Sequence, residues 1–123
     1  MSGLFGLNIE AELNAKLQHD TLSAGEIIEG IQESFILAYR TMTLRAQPDR
    51  TIDELDATAS QQIQEVFRYK QLTPQNATRP LFREVAEILE ARFNLTSDPG
   101  LAEKNDTIIN ELVRKLPVVS PML

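Results

Sequence analysis

Residues 23–42 read SAGEIIEGIQESFILAYRTM, and this stretch decides the fold. Ser23 and Glu26 have the spacing of a capping box. The serine oxygen takes a free amide of the first turn, and the glutamate takes the amide of the cap itself. Ile27, Ile28, Ile31, Phe35, Ala38, Tyr39 and Met42 then fall within about 120° of one another on a helix of about 100° per residue. Glu26, Glu29, Glu33 and Arg40 lie opposite. Nothing here alternates with the period of a half-buried strand. Pro48 sets the outer limit, because the residue before a proline is pushed out of the helical region.

The same pattern recurs on both sides. Thr51-Ile52-Asp53-Glu54 is a second capping box, followed by a core face of Ile52, Leu55, Ala59, Ile63, Val66 and Phe67. That helix is expected to end near Lys70 or Gln71, ahead of Pro74. A fourth helix starts between Thr78 and Pro80, with Leu81, Phe82, Val85, Ile88, Leu89 and Phe93 as its stripe and Asn94 as its stop. Asp98-Pro99 opens a fifth, whose apolar face is Leu101, Ile108, Ile109, Leu112, Val113 and Leu116. Asn105 interrupts that face, so the alternative is a loop there and a shorter helix from Asp106. Upstream, Ile9, Leu13 and Leu17 form one stripe of a first helix, and Leu4, Leu7, Ala11 and Ala15 form another. Either this helix is buried on two sides or it begins near Asn8. The fold expected is all-α: a single-domain antiparallel helical bundle of four to five helices over residues 1–116, with an apolar tail at 117–123.

Composition agrees. The chain has 123 residues, 42% of them hydrophobic and 24% charged, which suits one ordinary globular domain. The absence of cysteine excludes disulfides, thiolate metal sites and thiol nucleophiles, and it fits a reducing compartment. The N-terminus has no basic lead, and no run approaches the roughly 18 apolar residues of a membrane span. A cytoplasmic protein without membrane contact is expected. The Asn-x-Thr triplets at Asn76, Asn94 and Asn105 are then coincidental.

Catalytic signals are weak. His19 is the one histidine, and the nearby Ser23 is better used as a cap than as a nucleophile. The rows Glu26, Glu29, Glu33 and Glu84, Glu87, Glu90 read as solvated faces, and no Glu-x-x-His pair accompanies them. No metal, no cofactor and no enzymatic activity are expected.

Surfaces carry more. The net charge is −6, which disfavours broad phosphate-backbone binding. Yet residues 66–83 hold Arg68, Lys70, Arg79 and Arg83 and no acid. With Tyr69 they form a basic corner suited to an acidic protein partner, or alternatively to nucleic acid. Cations at Arg68 and Lys70 suit a helix C-terminus, whereas Arg79 and Arg83 sit where the next helix's dipole disfavours them. Ile36, Leu37 and Leu44 are apolar but lie off the main stripe of the second helix. They belong either to a central helix or to a contact with another chain. Leu4, Phe5, Val118, Val119, Met122 and Leu123 are too apolar for free ends and are expected to pack on the domain or on a partner. The function expected is a non-catalytic protein–protein interaction module: a small adaptor, regulator or assembly factor, self-associating or part of a larger complex.

Overall fold

The computed structural model describes residues 7–117. Five helices pack into one bundle: α1 (Leu7–Gln18), α2 (Ala24–Ala46), α3 (Ile52–Tyr69), α4 (Arg79–Arg92) and α5 (Pro99–Arg114). A short 3-10 turn, Leu95–Ser97, joins the last two and buries Leu95 completely. There is no strand among the described residues.

Each helix from α2 onward starts on the cap that the sequence supplies. The side chains of Ser23, Thr51, Thr78 and Asp98 accept from the amides of Glu26, Glu54, Leu81 and Leu101. The box at Ser23 is complete. At Thr51 only the threonine half forms, because Glu54 turns to Arg50 at 3.0 Å. α3 ends in a Schellman pattern, Gln71 N–H to Arg68 C=O and Leu72 N–H to Phe67 C=O, with Gln71 left-handed at φ 56°.

The bundle is organised around α2, which packs on α1, α3 and α5. Of the two alternatives for the off-stripe residues of α2, a central helix is the one found. Ile36 is 1% exposed and belongs to the core. Glu33, expected on a solvated face, is 7% exposed, because that face meets α1. Each neighbour is joined to α2 by a sheltered polar contact. Lys16 Nζ donates to Glu33 at 3.1 and 3.3 Å. Arg40 donates to Asp56 at 3.1 and 2.6 Å, with Asp56 wholly buried. The Ser34 hydroxyl donates to Asn105 Oδ1 at 2.6 Å. Asn105 therefore belongs inside a helix that runs unbroken from Pro99; its place in the apolar face is explained by a partner on α2. Gly30 lets the helices close up: a Cβ there would lie 3.0 Å from both methyls of Leu112.

Two other expectations change. Ile52, expected in the core, is 41% exposed in the first turn of α3. Of the alternatives for α1, the start near Asn8 is the one found: the helix begins at Leu7, Ala11 and Ala15 are exposed, and its described part is buried on one side only, through Ile9 and Leu13. Glu90 is only half exposed, facing Asp106 of α5. The expectations for Leu4, Phe5 and the 118–123 tail lie outside the described residues.

Glu33 makes the bundle pH-sensitive. Burial raises its pKa to about 7, helped by a hydrogen bond with Glu12 and opposed by Lys16. A carboxyl whose folded pKa is raised stabilises the fold while it is protonated. That contribution is full below its ordinary value of 4.5 and is lost as pH rises through about 7. Glu33→Gln keeps the shape without the charge. The stability of the variant relative to wild type should rise by roughly 3 kcal/mol between pH 4.5 and pH 8. Urea unfolding of both proteins across that range measures it, and a difference independent of pH would exclude Glu33 as the titrating group.

Candidate functional site

The N-terminus of α2 and the C-terminus of α3 lie side by side and leave an open groove between them. Gly25, Ile28 and Glu29 form one wall, Gln64, Phe67 and Arg68 the other, and Gln71 to Pro74 close the end. Local chemistry holds both walls. The capping box fixes the first turn of α2, and the left-handed Gln71 turns the chain so that Leu72 folds back, 7% exposed. The floor is apolar, from half-buried Ile28 and buried Phe67 and Leu72. At about 1020 Å³ the groove has room for several side chains of a partner.

Arg68 is exposed on this groove, and its guanidinium forms no ion pair or hydrogen bond among the described residues. Its neighbour Tyr69 is 77% exposed. Lys70 is committed elsewhere: its ammonium meets Glu84 of α4 at 2.5 Å, which raises its pKa, and lies 5.8 Å from the centre of the Tyr69 ring.

The other half of the basic corner is a separate place. Arg79 spans to α5, where its Nη2 donates to the carbonyls of Arg114 at 3.0 Å and Leu116 at 2.8 Å. These carbonyls lie at the end of a helix and lack intrahelical partners, so a guanidinium from outside completes them. That explains a cation at an N-terminus where the dipole of its own helix disfavours it. Arg83 donates to Asn110 Oδ1 at 2.7 Å. Both arginines line a second groove, between α4 and α5, with Arg114. Arg114 in the last turn of α5 suits the helix dipole. Its bidentate pair with Glu111, at 2.9 and 2.9 Å, adds a local explanation. Arg79→Ala should cost about 1–2 kcal/mol by stranding the carbonyls of Arg114 and Leu116 at and just past the end of α5. Arg83→Ala should change stability by less than about 0.5 kcal/mol. Thermal melts of the two variants compare them directly, and equal effects would remove the capping role of Arg79.

The apolar trio also divides. Ile36 is core, as above, and is too buried to meet another chain. Leu37 and Leu44 are half-buried. Leu37 lines a cavity of about 60 Å³ between α2 and α5, beside Leu13, Leu101, Asn105 and Ile108. It is too small for an organic cofactor, given that roughly 150 Å³ is needed to hold benzene. Among the described residues, Ile52 and Tyr69 are the large apolar side chains that stand exposed.

His19 is exposed just past the end of α1; its backbone carbonyl accepts from Lys115 at 2.7 Å. Among the described residues no three histidine or carboxylate side chains are placed to share a metal ion. No described helix is long and apolar enough to cross a membrane. No protein-family model, curated protein or solved structure matches this chain.

Proposed function

We propose that the protein is a non-catalytic interaction module, an adaptor or assembly factor. In this reading it holds a segment of a partner protein in the groove between α2 and α3. The observation that carries the reading is the pairing of an apolar floor, Ile28, Phe67 and Leu72, with a guanidinium at Arg68 that has no internal partner. Apolar burial supplies affinity, and an unpaired cation at the rim selects an acidic neighbour and speeds encounter. The occupant is therefore a segment with aliphatic side chains next to Asp or Glu. Nucleic acid fits this groove less well, because Arg68 is the one basic side chain that lines it and the neighbouring Lys70 is paired with Glu84.

Peptide display against the intact chain tests this. The expected selection is enriched in aliphatic residues flanked by acids. Binding of a selected peptide should fall at least tenfold on Arg68→Glu, a change at an exposed site that leaves the fold intact. Its salt dependence should match one or two charge contacts, far shallower than phosphate-backbone binding. Selection of basic peptides, or binding indifferent to Arg68→Glu, would refute the reading.

A further inference from the structure

The second groove carries a different chemistry. Arg79, Arg83 and Arg114 all line the space between α4 and α5, together with Thr107, Asn110 and Glu111. Three guanidiniums face one carboxylate in the groove, with Asp20 also near Arg114, which leaves a local surplus of positive charge on a chain whose net charge is −6. None of the three is exhausted by its internal contacts. Arg79 gives only Nη2 to the carbonyls at the end of α5, which leaves Nη1; its Nε is buried away from the groove surface. Arg83 gives one Nη1 bond, to an amide oxygen, and makes no ion pair among the described residues. Arg114 spends one edge of its fork on Glu111. A guanidinium carries five N–H donors in a plane, so unused donors remain on every member.

The groove extends to about 490 Å³, more than a simple anion fills. Further along α4 and α5 the surface changes sign. Arg83 also borders a cleft with Glu87, Glu90 and Asp106, where burial and the proximity of Asp106 raise the pKa of Glu90. An anionic head is thereby confined to the arginine end.

We propose that this groove binds a phosphate monoester, the phosphate dianion lying among Arg79, Arg83 and Arg114 and its carrier lying along α4 and α5. A tetrahedral dianion offers more acceptors than a carboxylate and matches several forked donors at once. It also balances the local surplus that a single carboxylate would leave.

The test is an amide chemical-shift titration of the intact chain at constant ionic strength. Inorganic phosphate, phosphoserine and succinate are added separately, with sodium chloride as the reference. Phosphate and phosphoserine should each give saturable shifts confined to residues 79–83 and 107–114. Phosphoserine should bind more tightly if the carrier is held as well, whereas equal affinities would assign the site to free phosphate and remove the ester. The double variant Arg83→Gln with Arg114→Gln should weaken both at least tenfold while keeping the wild-type spectrum elsewhere. Arg79 is left intact because it holds α5. Shifts that chloride reproduces, succinate binding as tight as phosphate, or affinity unaffected by the double variant would each overturn the proposal. Binding of an acidic-aliphatic peptide at α2 and α3 is read at different amides, so the two grooves succeed or fail separately.

Discussion

Asp56→Ala is expected to lower stability by about 3–5 kcal/mol, enough to consume much of a small domain's margin. Asp56 is wholly buried and accepts both bonds of the Arg40 fork, whose side chain is itself mostly sheltered. Removing the carboxylate leaves a guanidinium between α2 and α3 with little access to water. The cost comes from that stranded charge more than from the attraction lost. Arg40→Leu combined with Asp56→Leu should therefore recover most of the loss, since replacing a buried pair with apolar groups of similar volume is often neutral. Exposed pairs such as Arg92–Glu65 should contribute under about 1 kcal/mol by comparison. Urea unfolding of the single and double variants measures this, and a double variant no better than Asp56→Ala would mean that the pair itself is strongly stabilising.

Phe35→Ala should cost a similar amount, about 3–5 kcal/mol. Phe35 is 1% exposed on the central helix, with its ring 6.0 Å from that of Phe93 at the end of α4. Phe93 also meets Tyr39 at 5.2 Å. The aromatic group thus joins α2 to the α4–α5 connection, where the neighbouring Leu95 is fully buried. Deleting the ring removes contacts to several elements and leaves a cavity that rigid helices cannot easily fill. Leu37→Ala, at a half-buried position, should cost markedly less. Thermal unfolding ranks the two, and equal losses would contradict a core centred on α2.

The helices were legible because their signals are local. Ser23, Thr51, Thr78 and Asp98 each cap a helix within three residues of themselves. What surrounds a helix is not local. Glu33, Ile36 and Arg40 lie off the main stripe of α2, yet each is sheltered by a neighbouring element: Lys16 of α1 meets Glu33, and Asp56 of α3 meets Arg40. A single apolar stripe reveals one packed face, and α2 has three. Asn105 was ambiguous for the same reason, because its partner Ser34 lies 71 residues away.

The candidate site was legible in part. Arg68, Tyr69, Lys70, Arg79 and Arg83 appear as one corner when charge is counted along the chain. Arg79 instead reaches carbonyls 35 and 37 residues on, and this divides the cluster into two grooves. Phe67 and Leu72 form the floor of the α2–α3 groove, but by periodicity or position Phe67 reads simply as core and Leu72 as a loop residue. Apolar pattern alone does not separate a groove floor from an interior.

The most direct measurement is where a selected acidic-aliphatic peptide lands on the intact chain, mapped by methyl and amide chemical shifts. The expected result is saturable change at Ile28, Phe67, Arg68 and Leu72, with little at α4 and α5. Shifts centred on any other face, with the α2–α3 groove silent, would contradict the assignment of that groove as the working surface.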